Sequence, residues 1–191
     1  MNKKILLGSG SPRRRELLSM LDIEFETICL NDVNEVFPAS LQAEEVAAYL
    51  SRLKAQSYID KIDSETILIT ADTVVVIDDE IMGKPKNASE AKFMLQRLSG
   101  AKHKVITGVS LTTAGTIHTF DEVTIVEFGK ISDADIDYYV EKYHPFDKAG
   151  SYGIQEWIGL IGVKKIDGCF YNVMGLPTSA LYSHLKSMEM I

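Results

Sequence analysis

The sequence predicts a mixed α/β fold, and three observations point to it. Segment 66–77 is almost wholly apolar and rich in β-branched residues, which is typical of a strand buried on both faces. Segments with helical spacing of apolar residues separate this strand from other short apolar runs. Segments 105–113 and 116–128 meet around Ala114 and Gly115, so they predict two strands joined by a turn and some antiparallel pairing.

The chain begins with the pattern of a strand, a glycine loop and a helix. The apolar run 5–7 stops at the segment Gly8-Ser9-Gly10. Ser11 and Pro12 then match a helix N-cap followed by proline at the first helical position. Leucines on one face of this helix predict that its far end is anchored in the core, which leaves its N-terminus free.

The remaining elements follow from the same periodicities and turn signals. Residues 78–80 predict a turn, and Asn87 with Glu90 predicts a capping box. The predicted elements are a helix over 43–59, a return segment ending at Gly83-Lys84-Pro85, a helix over 87–98, a helix over 132–143, a glycine-punctuated loop over 147–153, two strands over 158–165 and 169–174, and a final helix from Thr178.

Composition limits the class of protein. The 191 residues are 46% hydrophobic and 25% charged, which fits one globular domain or two closely fused lobes. Because no run of about 18 apolar residues occurs, neither a signal peptide nor a membrane span is predicted. Cys29 and Cys169 match no zinc or disulfide spacing and fit a reducing cytoplasm. The net charge of −7 argues against broad binding to nucleic acid.

The densest basic cluster lies at the start of the first helix. Arg13, Arg14 and Arg15 follow the predicted N-cap, where backbone N–H groups and the helix dipole favour an anion. The guanidinium group of Arg13 or Arg14 would add charge-assisted bonds to phosphate oxygens. The alternative is a solvated, capped helix start, and the local sequence leaves both interpretations open.

Asp72 interrupts the apolar strand, where an ionised carboxylate is costly unless a cation or hydrogen bonds compensate it. It is a functional candidate, or else it caps a turn or pairs structurally with a lysine.

Lys54 on a helix edge is typical of a solvated residue, whereas Lys84 is fixed between Gly83 and Pro85. The polar loop 147–155 is a candidate ligand loop, and the four histidines show no metal-ligand spacing.

Eight motifs occur in order along the chain. They are segment 9–18, Ala71-Asp72-Thr73-Val74-Val75, Gly83-Lys84-Pro85, Leu98-Ser99-Gly100, Thr107-Gly108-Val109, Asp147-Lys148-Ala149-Gly150, Tyr152-Gly153-Ile154-Gln155 and Gly175-Leu176-Pro177. Together they resemble one family nearly end to end, the Maf (septum formation inhibitor) nucleoside triphosphate pyrophosphatases. The resemblance implies one domain over 1–191 with an elongated mixed-sheet α/β fold, two lobes and a central cleft, similar to inosine triphosphate pyrophosphatases. It also implies hydrolysis of nucleoside triphosphates to monophosphate and pyrophosphate, a divalent Mg²⁺ or Mn²⁺, and a homodimer.

The resemblance also implies residue roles. Asp72 is expected to be the general base and Glu35 its acidic partner, and these two are the expected metal ligands. Lys84 joins them in the catalytic set, as a cation facing the departing pyrophosphate. The expected substrate contacts are Ser9, Arg13, Arg14, Lys54, Thr73 and Gln155, in addition to Lys84.

Three of these residues are expected to set specificity, namely Arg13, Thr73 and Gln155. They match the branch of the family that acts on dTTP and UTP. An amide both donates and accepts, so Gln155 is suited to the O4 and N3–H edge of a pyrimidine. Modified pyrimidine triphosphates are included in this expectation, which implies a role in keeping modified nucleotides out of nucleic acid.

Two positions depart from the family pattern. Asn34, in segment 32–35, stands where the family usually has a second acid, and Glu156 stands where many relatives have glycine. The departures affect the metal assignment of Glu35 and the nucleotide preference. The competing hypothesis is a nucleotide-binding regulatory module of cell division without turnover, and a nucleic-acid-binding protein is a more distant one.

Overall fold

A computed structural model describes residues 3–28 and 33–191 of the chain. Cys29 and Asp32, which the sequence analysis considered, lie outside the described residues. Within the described ranges no helix has the length and apolarity needed to cross a membrane. The strands are β1 (Lys4–Gly8), β2 (Glu26–Ile28), β3 (Thr66–Ile77), β4 (Glu80–Met82), β5 (Lys102–Thr113), β6 (Thr116–Phe128) and β7 (Val163–Asp167), and the helices are α1 (Pro12–Ser19), α2 (Val46–Gln56), α3 (Ala88–Leu98), α4 (Asp133–Tyr143), α5 (Trp157–Gly162), α6 (Phe170–Met174) and α7 (Thr178–Ser187).

These strands form one mixed sheet, in the order β2-β1-β3-β5-β6-β7, with β4 paired to β3. β1 runs parallel to both β2 and β3, whereas the β3–β4 and β6–β7 pairs are antiparallel. The predicted mixed α/β fold class is therefore confirmed. The three-residue strand β2 is too short to give a pattern in the sequence.

The chain divides into two compact units. Unit 1 comprises residues 1–73, 107–122 and 175–191, and unit 2 comprises residues 74–106 and 123–174. Strands β3, β5 and β6 contribute residues to both units. A buried hydrophobic cluster of unit 2 includes Met94, Leu95 and Leu98 of α3, which lies within the helix predicted over 87–98.

β3 has the burial expected of a central strand. Ten of its twelve residues are buried, and the two exceptions are Asp72 and Thr73, which are partly exposed. Two helices of unit 1 contribute side chains beside this part of β3: α2, which begins at Val46 and carries Lys54, and α1, which carries Arg14. The predicted helix over 43–59 is shorter than expected, because single 3₁₀ turns occupy residues 43–45 and 59–61.

The predicted helix starts are confirmed by side-chain caps. Ser11 Oγ accepts a hydrogen bond from the backbone N–H of Arg14, and Pro12 occupies the first helical position of α1. Ser132 caps α4 in the same way. At α3, Asn87 accepts from the N–H of Glu90, but the Glu90 carboxylate accepts from Lys86 rather than from Asn87. The reciprocal half of the predicted capping box is thus displaced by one residue.

Two predicted strands are wrong. Residues 158–162 belong to helix α5, so only residues 163–165 of the predicted strand 158–165 lie in β7, and residues 170–174 form helix α6. In α6 the amide of Asn172 is buried and donates to Val105 O at 3.1 Å and to Thr124 Oγ1 at 2.9 Å. The sequence pattern of such short apolar segments does not distinguish a strand from a helix, so tertiary contacts determine which of the two forms.

A buried histidine lies in the core of unit 2. His103 is 2% exposed, its Nε2 is 2.7 Å from the hydroxyl of Tyr152, and the rings of Phe128 and Tyr152 pack edge-on against it. Its Nδ1 has no hydrogen-bond partner among the described residues. Burial lowers the pKa of His103 to about 4, below the value of about 6.5 of an exposed imidazole.

We expect this histidine to make stability depend on pH. The folded protein holds the neutral ring, so unfolding takes up a proton between the two pKa values. The free energy of unfolding should therefore keep this contribution above about pH 6.5 and lose about 3 kcal/mol as the pH falls to about 4. Urea unfolding at a series of pH values measures the slope. His103→Gln should remove it and the exposed control His144→Asn should keep it, whereas an unchanged slope in His103→Gln would contradict the assignment.

Candidate active site

The residues expected in the site fall in both units and are described unit by unit. Unit 1 contains Ser9, Arg13, Arg14, Glu35, Lys54, Asp72 and Thr73, and unit 2 contains Lys84 and Gln155. Within unit 1 the structure brings most of the expected residues together. Those of unit 2 lie on one turn and one loop that contact each other.

The N-terminal loop of unit 1 is placed by the register of two parallel strands. Gly8, the last residue of β1, pairs with Thr70 of β3. The loop that leads to α1 therefore leaves the sheet where β3 reaches Ala71 and Asp72. Because the first N–H groups of α1 have no carbonyl partners within the helix, this end of the strand pair favours an anion.

Lys54 lies between two carboxylates. Its Nζ is 2.5 Å from Asp72 Oδ1 and 3.3 Å from Glu35 Oε1. The side chains of Lys54 and Asp72 are each 13% exposed, whereas Glu35 is about half exposed. The position of Lys54 on a helix edge is typical of a solvated lysine, but in the structure its side chain is largely buried against Asp72. A structural pairing of Asp72 with a lysine was the alternative left open by the sequence. The structure shows this pairing, and Glu35 contacts the same lysine.

Arg14 makes an extended set of contacts inside unit 1. Its Nε donates to Gly175 O at 2.8 Å, and its Nη1 donates to Ala71 O at 2.9 Å and to Ser9 Oγ at 3.3 Å. Its Nη2 donates to Thr73 Oγ1 at 3.0 Å. Burial lowers the pKa of the Arg14 guanidinium, and the charge of Asp72 opposes that effect. Arg14 thus ties the N-terminal loop to β3.

Thr73 has a second partner on the neighbouring strand. The hydroxyls of Thr73 and Thr107 are 2.9 Å apart, and either one can be the donor. Arg13 is partly exposed, and Arg15 is exposed. Arg14, the middle one of the three consecutive arginines, contacts Thr73 directly.

In unit 2 the turn that carries Lys84 contacts the loop that carries Gln155. The backbone N–H of Gly150 donates to Gly83 O at 3.1 Å. Gly150 has a φ of +67°, and a Cβ there would lie 3.1 Å from the side chain of Val75, so glycine suits both the backbone and the space. The side chains of Lys84 and Gln155 are both exposed.

The carboxylate of Glu156, one of the departures from the family pattern, is held by its own loop. It accepts from the hydroxyl of Tyr139, and its Oε1 is 3.1 Å from Nζ of Lys148, which is 9% exposed. The Tyr139 oxygen in turn accepts from the N–H of Gly153 at 3.2 Å. A Cβ on Gly153 would meet the Glu156 carboxyl carbon at 2.8 Å, so the carboxylate fills the place of a side chain there. The sequence did not identify this network, because Lys148 and Tyr139 lie in separate segments.

The residues of unit 1 fit a hard divalent cation. The carboxylates of Glu35 and Asp72 converge on one ammonium nitrogen. No group of three or more His, Cys, Asp or Glu with metal-site geometry occurs in residues 3–28 and 33–191. One or two carboxylates completed by substrate phosphates and water are the usual donor set for Mg²⁺. The arrangement thus combines paired acids, a lysine and a helix N-terminus, which is suited to phosphate chemistry.

Comparisons with known proteins agree with this chemistry. A family model described as Maf-like protein matches residues 4–188. A dTTP/UTP pyrophosphatase of Porphyromonas gingivalis is 53% identical over 96% of this chain and 93% of that protein. Proteins with the same name from Phocaeicola vulgatus and Flavobacterium psychrophilum are 51% and 48% identical, over 97% and 96% of this chain and 96% and 94% of their own lengths.

Solved structures agree with the fold. A Ham1 protein of Staphylococcus aureus has a TM-score of 0.54 at 13% identity, covering 97% of this chain and 100% of that chain. A HAM1 protein of Coxiella burnetii has a TM-score of 0.52 at 15% identity, covering 97% and 99%. At these identities the similarity concerns the fold alone.

Proposed function

The chain belongs to the Maf family, and on that premise we propose that it hydrolyses nucleoside triphosphates to nucleoside monophosphates and pyrophosphate, with dTTP and UTP preferred. One observation carries the proposal most directly. Asp72, Glu35 and Lys54 converge in unit 1, and the register of β1 with β3 places the N-terminal loop at the same end of the strand pair.

Asp72 is the general base in this proposal. It orients a water molecule and takes its proton as the water attacks the triphosphate. Asp72 lies in the middle of β3, between two buried runs, with one carboxylate oxygen on Lys54, so its position is fixed by the strand and by the ion pair. A base held in this way loses little entropy when the reaction begins.

Three cations and one hydroxyl bind the triphosphate and the departing pyrophosphate. The hydroxyl of Ser9 contributes from the N-terminal loop, Arg13 from the first turn of α1, Lys54 from α2 and Lys84 from the turn after β4. The resemblance also implies a phosphate contact from Arg14. Groups placed before the reaction stabilise charge as it develops on the leaving phosphates.

Glu35 and Asp72 would hold a divalent cation, Mg²⁺ or Mn²⁺. Such an ion, when bound, supplies positive charge that screens and polarises the triphosphate. Because Lys54 already contacts both carboxylates, the two acids are held near each other by the protein itself.

Base selection is assigned to Arg13, Thr73 and Gln155. The exposed amide of Gln155 can donate to O4 and accept from N3–H of uracil or thymine. Glu156 does not compete for the base in this proposal, because its carboxylate is held by Tyr139 and Lys148. The preference for dTTP and UTP, and activity on modified pyrimidine triphosphates, follow from this assignment.

Replacing Lys54 should impair the reaction. Lys54→Met removes the cation that contacts both Asp72 and Glu35, so we expect kcat/KM for dTTP to fall by about 10²-fold. Steady-state pyrophosphate release measures the loss. The exposed Lys61 serves as a matched control, and Lys61→Met should change kcat/KM by less than about twofold. Equal activities of the two variants would show that Lys54 does not contribute to the reaction.

A screen for pyrophosphate release tests the proposed function. The wild-type protein is incubated with canonical and modified triphosphates, with Mg²⁺, with Mn²⁺ and with a chelator, and kcat/KM is compared between nucleotides. The proposal expects metal-dependent release with the highest values for pyrimidine triphosphates. Nucleotide binding without release from any of them would instead support a regulatory module of cell division.

The remaining proposals concern the protein's surroundings. We place the protein in the cytoplasm, as a homodimer that acts on free nucleotides rather than on nucleic acid. The net charge of −7 supports the last point, because phosphate-backbone binding requires an excess of cations. Size-exclusion chromatography with light scattering tests the dimer.

A further inference from the structure

The Arg14 guanidinium has little capacity left for a ligand. A guanidinium has five N–H donors, and four of them are used by acceptors in unit 1. Two of these acceptors are backbone carbonyls, those of Ala71 and Gly175. A bidentate phosphate contact needs two N–H donors, so at least one of the four bonds would have to break. The acceptor of that bond, in a partly buried segment, would then be left unsatisfied.

The remaining two acceptors are hydroxyls of expected substrate contacts, Ser9 and Thr73. Ser9 Oγ accepts from Arg14 Nη1 at 3.3 Å and from the backbone N–H of Ser11 at 3.2 Å. A hydroxyl has two acceptor positions and one donor. Both acceptor positions of Ser9 are therefore filled, and its O–H is left to donate. Phosphate oxygens only accept, so this state of Ser9 matches a phosphate.

Thr73 is held by two neighbours. Its Oγ1 accepts from Arg14 Nη2 and lies 2.9 Å from the hydroxyl of Thr107, so Arg14 uses one of its acceptor positions. The carbonyl of Ala71, which Arg14 also holds, immediately precedes Asp72 in β3. Gly175 completes the set with a φ of +118°, a conformation that other residues rarely adopt.

We infer that Arg14 is a positioning residue, which fixes Ser9 as a hydrogen-bond donor to a phosphate and fixes the hydroxyl of Thr73, rather than a direct ligand of the triphosphate. This inference rests on the proposed function, because it assigns Ser9 and Thr73 to the nucleotide. It separates the roles of two adjacent arginines, with Arg13 left as the phosphate contact of the helix start.

A double-mutant cycle tests the inference. Ser9→Ala and Arg14→Lys should each lower kcat/KM by about 10²-fold. The double variant should be no more than about threefold worse than the more impaired single variant, because Ser9→Ala already removes the O–H that Arg14 positions, and the small remainder is the effect of Arg14 through Thr73. A direct phosphate contact from Arg14 would predict additive losses, near 10⁴-fold in the double variant. Arg15→Lys, a change at the exposed neighbour, should leave kcat/KM unchanged.

A second measurement uses the wild-type protein and does not depend on how Arg14→Lys folds. The Nε–Hε signals of the arginine side chains are followed by NMR while pyrophosphate with Mg²⁺ is added. The Arg14 signal should be protected from solvent exchange before the addition and should move much less than that of Arg13. An unprotected Arg14 signal, or one that moves as much as that of Arg13, would overturn the inference. Wild-type pyrophosphate release reports on the proposed function alone, so the two failures are distinguishable.

Discussion

Asp72→Asn is expected to bind nucleotide as the wild type does and to release pyrophosphate at least about 10³-fold more slowly. An amide has nearly the size of the carboxylate and can still accept a hydrogen bond from Lys54, so β3 and the ion-pair geometry are largely kept. It cannot accept the proton of an attacking water at neutral pH. Losses of this size are typical when a general base is removed.

The measurement combines two readouts on the same preparation. Single-turnover pyrophosphate release gives the chemical step, and equilibrium titration with dTTP gives the dissociation constant. Asp60→Asn is a matched control, because Asp60 is an exposed acid in the same unit. A variant of Asp72 that keeps the wild-type rate would show that Asp72 is a structural partner of Lys54, whereas one that loses binding as well would point to a role in holding the nucleotide.

Gly108→Ala is expected to be strongly destabilising. Gly108 lies in β5, and a Cβ there would be 2.3 Å from Ala48 N and 2.4 Å from the carbonyl atoms of Ala47, all within unit 1. These are backbone atoms of α2, so a small side-chain movement does not relieve the clash. We expect the free energy of unfolding to fall by at least about 3 kcal/mol.

Urea unfolding compares Gly108→Ala with a glycine that has open space around it. A Cβ at Gly10 would have no atom within 4 Å apart from its chain neighbours, so Gly10→Ala should change the free energy of unfolding by less than about 1 kcal/mol. Because α2 carries Lys54, an outward shift of α2 in Gly108→Ala would also weaken the contact with Asp72. Equal stabilities of the two variants would mean that α2 moves away from β5 without cost.

The sequence was most informative where one residue contradicts its surroundings. Asp72 stands out because an acid within an apolar strand is costly, and the structure places it at the partly exposed step of β3. Ser11 and Pro12 predicted the start of α1 for an equally local reason, the capping of free N–H groups. Such features are set by neighbours along the chain, so they can be recognised without the fold.

Features that depend on distant contacts could not be recognised from the residue pattern alone, although the family resemblance included Lys54 among the expected substrate contacts. Lys54 has the pattern of a solvated lysine, and only the packing of α2 against β3 brings it to Asp72. Helix α6 was predicted as a strand because its aromatic and β-branched residues suit either state, and the buried amide of Asn172 favours the helix. The internal hydrogen bonds of Arg14 depend on Gly175, far along the chain, so the run of arginines gave no sign that one of them is occupied.

The hydrogen bond between Arg14 and Gly175 can form only late in the synthesis of the chain. The two residues are separated by 161 positions. At rates of roughly 5–20 residues per second, the ribosome makes the arginine roughly 8 to 30 seconds before its acceptor exists. A nascent chain that ends before Gly175 therefore already contains Ser9, Lys54 and Asp72, but the carbonyl that completes the arginine's contacts has yet to be added.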